Sequence, residues 1–160
     1  MPVMPASFRL GDYFFANKFD AARPLLKKNR RLDPDDLTVD LFLPDYERIY
    51  QEVSQIGQTG FWVAEPLVAI PWLEAMLGCS VFGSQDSFYT RPPDTFPDLA
   101  QVRKGIRQNR WFLKYMEFVE KLLVLSRGRF PVGQPITRGV SDMLGALYGQ
   151  EPMIFAMADS

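Results

Sequence analysis

The chain has 160 residues, and its 18 Lys and Arg against 19 Asp and Glu leave a formal net charge of −1, so no global basic field exists to attract nucleic acid. A composition that is 47% hydrophobic, 14% aromatic and 23% charged is that of a single globular domain with a real core, and it excludes long intrinsic disorder. Histidine is absent and Cys79 is the single cysteine, which excludes a Cys/His zinc site, a four-cysteine iron–sulfur cluster, an intrachain disulfide and any histidine-dependent nucleophile within the chain.

Acid–base work at neutral pH would fall to carboxylates, Lys, Tyr or the lone thiol. The N-terminal stretch MPVMPASFRLGDYF lacks a basic region followed by a long apolar run, and nowhere do about 18 apolar residues follow one another. The expectation is therefore a cytosolic protein with no signal peptide, no membrane span and no nucleic-acid partner.

In chain order, residues 1–20 show no clean period and read as loop or a short helix. Lys18, Arg23, Lys27, Lys28, Arg30 and Arg31 are followed at once by Asp33, Asp35, Asp36 and Asp40, and adjacent blocks of opposite charge read as a solvated surface. Pro44 with Asp45 and Glu47 predicts a helix start, followed by Tyr46, Ile49, Tyr50, Val53 and Ile56 at helical spacing up to Gly57. The apolar run FWVAEPLVAIPW predicts a buried strand over 61–65 that breaks at Glu65-Pro66.

Pro71 opens a short helix closed by Gly78, and VFGSQDSFYTRPP reads as short extended pieces running into a proline-rich loop. Asn109 to Ser126 is the longest predicted helix, with Trp111, Tyr115, Phe118, Leu122 and Leu125 on one stripe and Gly128 beyond its end. RFPVGQPI predicts a short strand over 130–136, and Gly139-Val140-Ser141-Asp142 leads into a last helix closed at Gly149, with Ser141-Asp142 as its expected N-cap pair. Helices alternating with two apolar strands predict an α/β protein with parallel strands and crossover helices.

Ligands of such folds collect beyond the carboxyl ends of the strands. That rule selects Glu65, Trp72 and Glu74 in one place and Thr137, Arg138 and Asp142 in the other. Arg138 is the leading candidate, because a guanidinium can hold a carboxylate through two hydrogen bonds; its competing reading is a salt bridge to Asp142 or to Glu65. Glu65 is either a proton-transfer carboxylate or the partner of an arginine. Trp72 and Tyr89 shape a pocket or fill core, and Cys79 reads as a small buried hydrophobe. No GxGxxG, GxxxxGK[ST] or DxDxDG pattern is present, so dinucleotide, P-loop and EF-hand readings fall away.

Three stretches, DYERIYQEV, AEPLVAIPWLEAMLGCSV and RFPVGQPITRGVSDMLGALYGQE, together resemble the uroporphyrinogen decarboxylase superfamily. The closer likeness is to its uncharacterised uroporphyrinogen decarboxylase-like branch, related to the corrinoid-dependent methyltransferases, and it spans about Leu37 to Ser160. The resemblance implies a partial (β/α)8 barrel, residues 1–160 being the N-terminal half of a longer barrel. It also implies a carboxy-lyase of porphyrin metabolism that needs no cofactor and acts on a carboxylated or tetrapyrrole-related small molecule, with Glu65 and Arg138 catalytic and Trp72, Tyr89, Arg138 and Asp142 binding substrate.

The chain departs from characterised members in two places. It lacks the early Arg-Gln-Ala-Gly-Arg segment, and Glu65-Pro66 stands where they carry a Ser-Asp pair. The half alone is expected to be inactive and to need a C-terminal half-barrel or another copy of itself over its exposed strand edges. The alternatives are a corrinoid methyltransferase-related protein and a non-catalytic half-barrel that requires a partner.

Overall fold

Residues 15–27, 29–58 and 60–158 are described by the computed structural model. The reading of residues 1–20 as loop or short helix lies outside this set up to residue 14. Beyond it, two 3-10 turns, Ala16–Lys18 and Asp20–Leu25, lead into the fold.

Six α-helices follow among the described residues: α1 (Val39–Ser54), α2 (Trp72–Met76), α3 (Leu99–Gly105), α4 (Arg110–Ser126), α5 (Val140–Tyr148) and α6 (Gln150–Ala158). The strands are β1 (Arg31–Leu32), β2 (Ser80–Gly83) and β3 (Phe88–Arg91), in one antiparallel sheet of order β1-β2-β3. The register sets Arg31 opposite Phe82 and Val81 opposite Thr90. The extended pieces expected in VFGSQDSFYTRPP are the two arms of this hairpin. Gly83 is required there, because a Cβ would lie 2.6 Å from the Leu25 carbonyl oxygen.

The partial (β/α)8 barrel with parallel strands is not what the chain forms. The two segments expected to be barrel strands, 61–65 and 130–136, meet at a single parallel bridge between Ala64 and Val132. Ala64 N–H donates to the Pro131 carbonyl at 3.0 Å and Gly133 N–H to the Ala64 carbonyl at 2.8 Å. Proline explains the brevity: Pro66 and Pro71 on one segment, and Pro131 and Pro135 on the other, offer no N–H to extend the ladder. With no barrel sheet, no half-barrel edge exists among the described residues for a partner to close.

α4 agrees with its sequence. Asn109 is its N-cap, its side-chain oxygen accepting from Trp111 N–H at 2.9 Å and Phe112 N–H at 3.2 Å, while its amide donates to the Met76 carbonyl at 3.0 Å. One side chain thus caps α4 and ties it to α2, where a cap alone contributes about 1 kcal/mol. The helix ends at Arg127 and Gly128, both at positive φ.

α1 begins at Val39, five residues before the expected start at Pro44. Its buried stripe of Val39, Phe42, Tyr46, Ile49 and Val53 extends upstream of the proline. Burial of Val39 and Phe42 outweighs the hydrogen bond that Pro44 cannot donate. The α5 expectation holds for the helix and its end at Gly149, but not for its cap. Gly139 is the N-cap, and Ser141 and Asp142 lie inside the first turn.

The core is aromatic. Phe42 of α1 meets Phe118 of α4 edge-on at 5.5 Å, and Phe19 meets Tyr46 at 5.1 Å. Trp72 of α2 packs edge-on against Trp111, Tyr115 and Phe118 at 6.1, 5.5 and 5.8 Å. A second cluster of Tyr50, Trp62 and Phe130 closes over the Ala64–Val132 bridge. The acidic block is neutralised mostly from α4: Arg110 reaches Asp33 and Asp35, Lys121 reaches Asp40, and Arg30 pairs with Asp36. No helix among the described residues is long and apolar enough to cross a membrane.

Candidate functional site

The proline-interrupted segments and the two tied helices leave a cleft between them. It has a volume of about 240 Å³ and is walled by α2 with the preceding residues 68–71, by Phe112 and Tyr115 of α4, and by residues 134–138. Asn109 and the edge-on packing of Trp72 against Tyr115 fix one wall against another. The indole of Trp72 is committed to the fold, since its N–H donates to the Leu67 carbonyl at 3.2 Å. Trp72 therefore presents ring surface to the cleft and no hydrogen bond.

Glu74 and Arg138 supply the charge. Glu74 is 3% exposed, whereas Arg138, reaching it from the extended segment before α5, is 49% exposed, and Arg138 Nε lies 3.1 Å from Glu74 Oε1. The contact is ionic but misaligned: Oε1 is buried and receives no hydrogen bond. A buried carboxylate with one off-axis counter-charge is incompletely satisfied, because hydrogen bonds as well as charge must replace the water it lost. Among the described residues, neither Nη of Arg138 makes a hydrogen bond to the protein.

Tyr115 adds a hydroxyl whose pKa is raised, first by burial and then by the nearby Glu65 carboxylate, so it stays a neutral phenol at physiological pH. Gln134 and Thr137 complete the polar lining. The cleft thus combines an aromatic and aliphatic wall, an anionic floor and a half-exposed cation at the rim. Among the described residues, no group of three or more His, Cys, Asp or Glu is placed to hold a metal ion.

Of the candidates selected from sequence, the structure brings Trp72, Glu74, Thr137 and Arg138 together in the cleft and leaves Glu65, Tyr89 and Asp142 outside its lining. The partner of Arg138 is Glu74, in place of the expected Asp142 or Glu65, because residues 134–138 run along α2. Glu65 does not line the cleft. Its carbonyl accepts the Tyr46 hydroxyl at 2.7 Å, and its carboxylate adds to the effect of burial, which is the main cause of the raised pKa of Tyr46 and of Tyr115.

Tyr89 lies elsewhere, on β3, where it stacks on Phe82 at 5.6 Å and donates to the Asn29 side chain at 2.7 Å. Asp142 is exposed in the first turn of α5, where it faces the positive end of the helix dipole. Phe112 and Tyr115 were missed as lining residues. Their helical spacing marks a buried stripe, and nothing local tells which part of it faces a cleft.

Cys79 is 3% exposed, and its thiol donates to the Ala146 carbonyl at 3.5 Å. Burial, with a smaller contribution from the Glu74 carboxylate, pushes its pKa up to about 11. The thiol is accordingly inert at neutral pH, and iodoacetamide at pH 8 should alkylate it only as fast as the protein unfolds. Because the folded state keeps this proton longer, its stabilising contribution is full below about pH 9 and is lost as pH rises through about 11. Urea titrations between these limits should show a steeper decline for the native protein than for Cys79→Ala, and parallel declines would refute the shift.

Comparison with protein-family models, with curated proteins and with solved structures returns no match for this chain.

Proposed function

We propose that the cleft binds a small molecule bearing a carboxylate, held by the Nη edge of Arg138 with its apolar body against Trp72, Phe112, Tyr115 and Ile136. The observation that carries this reading is a half-exposed guanidinium at the rim of an aromatic-walled cleft, with neither Nη group hydrogen-bonded to protein among the described residues. Charged, two-pronged donors of this kind are what carboxylate recognition uses.

A volume of about 240 Å³ is below the ~300–1,000 Å³ that encloses drug-sized ligands, and this favours a single ring with a short carboxylated arm over an entire tetrapyrrole. The uroporphyrinogen decarboxylase-like reading enters the proposal through Arg138, which in a decarboxylation would orient the departing carboxylate. The cytosolic location expected from sequence belongs to the same proposal.

Titration of the native protein with 3-phenylpropionate, followed calorimetrically, tests it. Arg138→Gln should weaken binding by about tenfold to a hundredfold, the worth of a charged hydrogen bond. Equal affinity in native protein and variant, with circular dichroism unchanged, would remove Arg138 from the site.

A further inference from the structure

We infer that the ligand is a zwitterion of the α-amino acid class, whose ammonium group is recognised by Glu74 while Arg138 holds its carboxylate. The inference rests on the carboxylate-binding reading of the cleft and adds to it the chemistry of the floor. Glu74 is 3% exposed and lines the cleft, yet among the described residues its buried Oε1 accepts no hydrogen bond. Arg138 approaches Oε1 at 3.1 Å in a direction that makes no hydrogen bond.

A buried carboxylate is ordinarily surrounded by donors, because leaving it short of them is costly. The missing donors here are those a ligand ammonium would bring. The separation of the pair supports the same class. An α-amino acid carries its two charges on one carbon, and Glu74 and Arg138 present complementary charges in direct contact, so the ligand can close a four-charge ring of alternating sign. Arg138 can turn its Nη edge to the ligand because half of its side chain is in water, while Glu74 is held in place by the turn of α2. The aromatic and aliphatic wall of Trp72, Met76, Phe112, Tyr115 and Ile136 selects an apolar or aromatic side chain.

The test uses three probes on the native protein: L-phenylalanine with both charges, 3-phenylpropionate with the carboxylate alone, and 2-phenylethylamine with the ammonium alone. L-phenylalanine should bind at least about tenfold more tightly than either, and Glu74→Gln, which keeps shape and removes charge, should abolish its advantage over 3-phenylpropionate. If 3-phenylpropionate binds native protein as tightly as L-phenylalanine does, the inference is overturned and the carboxylate-binding reading stands. Equal binding of 2-phenylethylamine and L-phenylalanine overturns both, as does the absence of binding by all three probes. The native protein carries the comparison by itself, so a Glu74→Gln chain that fails to fold would not shield the inference.

Discussion

Phe118→Ala is expected to lower the free energy of unfolding by about 3–5 kcal/mol, the range for removing a fully buried aromatic side chain. Phe118 is completely buried and touches Phe42 of α1 and Trp72 of α2, so it is where three helices share one side chain. A cavity there cannot close by moving one helix, because the other two are held by independent contacts: Asn109 ties α2 to α4, and Lys121 with Asp40 ties α1 to α4. Trp72 would also lose one of its three edge-on neighbours, so the wall of the cleft should loosen along with the core. Urea denaturation followed by tryptophan fluorescence reads both effects. A loss smaller than about 1.5 kcal/mol would mean that this junction is not the centre of the core.

The second large effect concerns the charge pair. Arg138→Ala leaves Glu74 buried with no counter-charge, and removing one partner of a fully buried pair costs about 3–5 kcal/mol. Because the guanidinium is 49% exposed and already partly solvated, a loss of about 1–3 kcal/mol is expected here. The cause is the stranded carboxylate, so the double variant Glu74→Gln with Arg138→Ala should recover most of that loss. A double-mutant cycle in urea checks this. If the two losses simply add, Arg138 stabilises the chain by something other than Glu74.

The fold was legible in the sequence where periodicity is long and punctuated. α4 carries an N-capping Asn109, a five-residue apolar stripe and a terminal Gly128, and it forms where these signals place it. α1 was legible in register but not in its start, because Pro44 is a strong local signal that the burial of Val39 and Phe42 overrides. The sheet was misread. Strand-like composition at 61–65 and 130–136 is defeated by flanking prolines, and β2 and β3 are four residues each, too short for alternation to stand out. Their antiparallel pairing is a property of the hairpin as a whole.

The site was half legible for a related reason. Arg138 and Trp72 follow proline-broken apolar runs, and those breaks are where the chain turns and opens a cleft. Their convergence does not need a barrel, because it depends on residues 68–72 and 134–138, which line the cleft in the fold observed. Glu65 stands at the break itself, but its carbonyl is engaged by the Tyr46 hydroxyl and it does not line the cleft, while Asp142 lies beyond residues 134–138 in the first turn of α5. Tyr89 belongs to the sheet, where Arg91 lies over Phe82 at 4.4 Å in the same cluster.

Residues 68–74, 76, 112, 115 and 134–138 are proposed to form one ligand site governed by Arg138. The most direct test is to titrate isotopically labelled native protein with 3-phenylpropionate and map the backbone amide shifts. Saturable changes are expected on α2, on Phe112 and Tyr115, and on residues 134–138, with β1 to β3 unmoved. Shifts centred on the sheet around Tyr89, or none at all up to millimolar probe, would contradict the proposal.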